Sequence, residues 1–208
     1  MKNQLLKYFF VFLFLGLLGS CQSIFFSLYG MKKPQQQSQE AITETEKKYH
    51  INQEDIYKID ISFFYFLDSL DKSITDTSNY YILKNHYQPL QVMVFDSIGK
   101  FCSFHINCYA EGFPNLKWKG FDTFPPITAA PIDTIITFDM LKNTIPRLQK
   151  LTEENPKKHT VIVFWTGFMG RQSKRLISLM QKKIPRQQAN LIFVNIDAGI
   201  FSLGNEKY

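Results

Sequence analysis

The apolar positions fall into stretches of different kinds. Tyr8 to Leu18 is apolar throughout except for Gly16, whereas Met31 to Lys48 (MKKPQQQSQEAITETEKK) holds almost nothing apolar and reads as a flexible spacer. Ile51 to Leu70 fits two periods. Tyr57, Ile59, Ile61, Phe63, Tyr65 and Leu67 alternate as in a strand, while Ile56, Ile59, Phe63, Phe66 and Leu70 recur as on a helix, so both remain open. Asp68 to Ser78 reads as a turn region and Asn79 to Tyr87 as a short helix.

The remainder is better punctuated. Leu90 to Phe95 is rich in strand formers, Asp96-Ser97-Ile98-Gly99 is a turn with glycine where a positive φ is needed, and Phe101 to Tyr109 alternates again: a β-hairpin. Ala110 to Pro131 is a long connection carrying four prolines and the aromatics Trp118, Phe121 and Phe124, either a local minicore or a ligand platform. Asp133 is placed to cap a helix bearing Ile136, Met140, Leu141 and Leu148, which Pro146 must kink or end. Thr160 to Trp165 reads as a buried strand. Gly170 to Ile184 is an amphipathic helix with Leu176, Ile177, Met180 and Ile184 on one face and Arg171, Lys174, Arg175 and Lys182 on the other, and Asn190 to Ile196 is the next strand. Strand, helix and strand within about 40 residues predict a right-handed parallel crossover.

The amino-terminal run changes the reading of the composition. Lys2 and Lys7 precede it, and it ends in Leu18-Gly19-Ser20-Cys21. A basic segment, an apolar core and small residues before the cut make a secretory signal over residues 1–20. The last four residues resemble the lipobox of bacterial lipoproteins, which implies a diacylated (palmitate-bearing) Cys21 as the mature N-terminus. An uncleaved anchor is the alternative, because Ile24, Phe25, Phe26, Leu28 and Tyr29 extend the run to about 20 residues. Either way the chain is expected on a cell membrane or outer membrane, facing the periplasm: after Cys21 stands Gln22-Ser23-Ile24, with no acidic run resembling a surface-export signal. Residues 21–48 would be anchor and spacer, and 49–208 one domain.

The formal charge of +6 is uneven. Lys142 to Arg186 carries eleven Lys or Arg against Glu153 and Glu154, whereas Cys21 to Leu141 has ten basic and fourteen acidic residues. Nucleic acid is excluded by the envelope setting; an anionic lipid surface, acidic glycan or envelope protein or peptide fits, as does a merely solvated helix face.

Val161-Ile-Val-Phe-Trp165-Thr166-Gly167-Phe168-Met169-Gly170-Arg171, a helix, and then Phe193-Val-Asn195-Ile196-Asp197 resemble a thioredoxin-like domain. In that family a buried strand ends in Trp, a Cys-x-x-Cys opens the helix and the next strand ends near Asn-x-Asp. The helix N-terminus there stabilises a thiolate. Thr166 and Met169 stand at the two cysteine positions, so ordinary dithiol chemistry is absent. Gln88-Pro89-Leu90 to Lys100 resembles the family's cis-proline, strand, glycine turn and strand, with Asp133 to Lys150 as its closing helix. The resemblance implies an α/β fold with a thioredoxin-like central mixed sheet in circularly permuted order, ββα then βαβ. It also implies a cis peptide before Pro89 beside Thr166, and a peptide groove lined by Trp165, Thr166, Phe168, Met169 and Pro89.

Cys102, His105 and Cys108 form C-x2-H-x2-C, but on one strand the cysteines would lie about 20 Å apart with His105 on the other face, too far to pair or share a metal. Buried free thiols are the expected state. His50, His86 and His159 stand with no acid at ligand spacing, Asp68, Asp71 and Asp76 lie in the turn region, and no nucleophile elbow, P-loop or dinucleotide fingerprint occurs. No cofactor or metal is expected. The leading expectation is a membrane-tethered, redox-inactive binding module rather than an enzyme. The alternatives are a thiol-disulfide oxidoreductase using Cys102 and Cys108, and a structural or immunity-type envelope lipoprotein.

Overall fold

The computed structural model describes residues 30–32, 35–108 and 117–204. The signal over residues 1–20, Cys21 and the apolar extension after it lie outside the described residues. In chain order the elements are α1 (Gln39–Lys48), a 3-10 turn (Gln53–Asp55), β1 (Ile56–Tyr57), α2 (Ser62–Ser73), α3 (Thr77–Asn85), β2 (Gln91–Asp96), β3 (Phe101–Ile106), α4 (Phe138–Thr144), α5 (Leu148–Glu154), β4 (His159–Trp165), α6 (Arg171–Lys183), β5 (Ala189–Asn195) and α7 (Asp197–Gly204). The fold is α/β: a five-stranded mixed sheet in the order β1-β5-β4-β2-β3, flanked by helices. β1, β5 and β4 run parallel, and β2 is antiparallel to both β4 and β3.

Period-2 alternation divides the sheet's side chains between two cores. Val161, Val163, Trp165, Leu191, Phe193, Val92 and Val94 meet Ile42 and Tyr49 at α1 and Leu176, Ile177 and Met180 of α6. Ile162, Phe164, Ile192, Val194, Met93 and Phe95 meet Phe63, Phe64 and Leu67 of α2, Leu83 of α3 and Leu141 of α4 on the other side. A strand covered on both faces must be apolar at successive positions, which is why β4 and β5 read as continuous runs. β4 and β5 are neighbours joined through α6, the expected parallel crossover.

The hairpin follows its turn chemistry. The Asp96 carboxylate accepts the N–H groups of Ile98 and Lys100 at 3.0 and 2.8 Å, and Gly99 takes φ +83°. Elsewhere the structure corrects the sequence reading. Ile51 to Leu70 resolves into a two-residue strand and the helix α2, which runs on to Ser73 through the expected turn region. Phe63, Phe64 and Leu67 are buried together, so tertiary packing decides between the two periods. Asp133 does not cap a helix. Thr137 does, its Oγ1 accepting the Met140 N–H at 3.2 Å, while Asp133 lies 3.0 Å from His86 Nε2 and accepts the Ile135 N–H. Pro146 separates α4 from α5, with Arg147 at φ +74° between them. Arg186 donates to both carboxylate oxygens of Asp55, tying the turn before β5 to the turn before β1.

The stretch expected as a flexible spacer is the largest departure. Gln39–Lys48 is helical, capped by Ser38 through the Ala41 N–H. Ile42 and Tyr49 are its two apolar insertions into the core. No helix among the described residues is long and apolar enough to cross a membrane.

Candidate functional site

β4 delivers Trp165 and Thr166 to the C-terminal edge of the parallel strands, and α6 begins five residues later. Trp165, Thr166 and Met169 are buried and Phe168 is half-buried. Trp165 packs edge-on against Tyr49 with ring centres 5.9 Å apart, and its carbonyl accepts the Ile196 N–H at 3.0 Å. Thr166 is fully buried; its carbonyl accepts the Ser173 hydroxyl, while its Oγ1 has no hydrogen-bond partner among the described residues. The residue at the first cysteine position is therefore inaccessible, and its hydroxyl has no base to activate it.

The turn is held from below by Asp197, which the sequence reading used only as part of a strand-end pattern. One of its oxygens accepts the Gly167 N–H at 2.7 Å and the Asn195 amide at 2.8 Å, and its own N–H donates to the Asn195 side chain. Burial pushes its carboxyl above the usual range, opposed by those same hydrogen bonds. The signal for this role was Asn-x-Asp at the end of a strand next to a glycine-containing turn, an arrangement suited to closing backbone donors.

From above, the chain's own amino-terminal segment covers the turn. The Lys32 N–H donates to the Phe168 carbonyl at 2.7 Å, the Gln37 side chain lies against Gly167, and the Tyr49 hydroxyl donates to the Gly170 carbonyl at 2.9 Å. Gly30 and Gly170 make a backbone contact so close that a Cβ at Gly170 would overlap the Gly30 carbonyl. Both glycines have positive φ. Gly30, Lys32 and Gln37 thus cover the turn in place of the expected open groove.

Pro89 differs from expectation in one respect. Among the described residues the cis peptide is Phe124–Pro125, not the bond before Pro89. The β2–β4 ladder starts at Gln91 opposite Phe164, two residues after Pro89. In the long connection, Trp118 and Phe121 are buried in the α1–α6 core and Phe124 packs edge-on against His159 at 5.1 Å, so these aromatics form the minicore of the two options.

Cys102 lies on β3 and Cys108 just beyond it; neither is in a disulfide among the described residues and neither is fully buried. Burial and the nearby Asp96 carboxylate push the Cys102 thiol up. His105 is fully buried, its Nε2 3.0 Å from the Ser103 hydroxyl and its ring tilted on Phe121; burial alone lowers its pKa to about 4. With Ser103 also fully buried, no substrate reaches that pair. Among the described residues no group of three or more His, Cys, Asp or Glu is arranged to hold a metal ion. Comparison with family models, curated proteins and solved structures finds no match.

Proposed function

We propose that this chain is a redox-silent, thioredoxin-like lipoprotein, tethered through an acylated Cys21 and serving as a binding module in the cell envelope. The observation that carries it is the strand–turn–helix β4–α6, in whose turn Thr166 and Met169 stand where the resemblance puts two cysteines. The strand order adds support: β2, β3 and α4 form ββα, β4, α6 and β5 form βαβ, and β2 lies antiparallel beside β4. The resemblance implies this order of elements; α5 stands between the two halves.

The module is read as binding rather than reacting because the turn before α6 carries no nucleophile; its backbone is already engaged, the Gly167 N–H by Asp197 and the Phe168 carbonyl by Lys32. Lys32 already engages the turn as a residue of an extended peptide would, its N–H donating to the Phe168 carbonyl. A thiol route through Cys102 is disfavoured, since its raised pKa leaves little thiolate at neutral pH. The tether is tested in cells. Globomycin should retard the protein on gels, and Cys21→Ala should abolish both that shift and detergent-dependent release from membranes; an unchanged Cys21→Ala pattern would refute the acylation.

A further inference from the structure

α6 carries five basic residues and no acid over Arg171–Lys183. At 100° per residue, Arg171, Lys174, Arg175 and Lys182 fall within an arc of about 100°. All four are exposed, and among the described residues none has a carboxylate partner; Lys183, off this stripe, takes Asp122 at 2.9 Å. The opposite face is fixed, because Leu176, Ile177 and Met180 are buried in the core. The helix cannot roll, so the stripe is a permanent one-signed surface.

The covering segment determines where this surface can go. Gly30 lies against the Arg171 side chain and the Lys32 N–H is held by Phe168, so the chain leaves the described fold at the N-terminal end of α6. Gly30 stands nine positions after Cys21, and that length fully extended reaches at most about 32 Å. An acylated Cys21 therefore keeps the start of α6 within roughly a domain's width of the bilayer. The carboxylate that meets this helix, Asp122, takes Lys183, off the stripe.

We propose that Arg171, Lys174, Arg175 and Lys182 dock α6 on anionic lipid headgroups, orienting the tethered domain with this face to the membrane. The proposal rests on the acylation of Cys21 for its geometry and on charge complementarity for its partner. The test uses the acylated full-length protein in vesicles of phosphatidylcholine alone or doped with phosphatidylglycerol, modified with a membrane-impermeant amine reagent. Modification of Lys174 and Lys182 should fall about fivefold in the phosphatidylglycerol vesicles and recover in high salt. Lys84, on α3 across the sheet, should react equally in both. Equal modification of Lys174 and Lys182 in the two lipids would overturn the proposal, as would protection in both, which would point to a protein or self-contact instead. Vesicle retention of Cys21→Ala is read separately, so a failed tether and a failed docking face give different results.

Discussion

His105 and Asp197 are buried ionisable groups whose effects on stability run in opposite directions. The folded pKa of His105 is about 4, below its ordinary 6.5. The unfolded chain thus takes up a proton that the folded chain refuses, and the stability present above about pH 6.5 is lost as pH falls toward about 4. The loss is about 3 kcal/mol. Asp197, with its carboxyl raised by burial, loses stability instead as pH rises from its ordinary range through its folded pKa. Replacing His105 with Gln, which keeps a polar group toward Ser103, should flatten the fall in Tm across that acid window; a window as steep as the parent's would show that another group governs it. Neither effect was readable beforehand, since burial of a lone His or Asp depends on what the fold brings around it. His86 makes the same point: its partner Asp133 is 47 residues away, and local spacing recommended Asp133 as a helix cap.

At the scale of elements, the segment over the turn and α1 depend on two glycines in contact. Gly170 has φ +49° at the start of α6, where a side chain is strained by about 1–3 kcal/mol and would also displace Gly30. Gly170→Ala should lower Tm and speed amide hydrogen exchange at Lys32, while the amides of Val161 and Val163 in central β4 keep most of their protection. Unchanged exchange at Lys32 would mean that the segment is held elsewhere. β4, α6 and β5 were readable to within a residue or two, because continuous apolar runs and a clean 3.6-residue stripe have few rival interpretations. α1 was not. Its sequence is polar on average, and what seats it is the pair Ile42 and Tyr49, seven residues apart in a run that otherwise resembles a linker. The signal available was the capping Ser38 with Glu40 in the first turn and Lys47 and Lys48 in the last.

For the whole molecule, the turn before α6 and the basic stripe lie on one side of the sheet, the side that the proposed tether would hold to a membrane. The motif turn, the covering segment, α1 and the basic stripe of α6 all lie on or beside the same core, and the four helices α2 to α5 occupy the other face. Half of the resemblance rests on the order of elements, which the sequence conveyed from the hairpin onward. The other half rests on the turn itself, where glycines and a buried carboxylate set a geometry that local pattern does not encode. That geometry is testable by restoring the missing chemistry. The double variant Thr166→Cys, Met169→Cys, oxidised mildly and counted for thiols after denaturation beside the unsubstituted protein, should form an internal disulfide and show no more free thiol than its parent. Two additional free thiols, resistant to oxidation in the folded protein, would contradict the assignment of this turn as a thioredoxin-like site emptied of its cysteines.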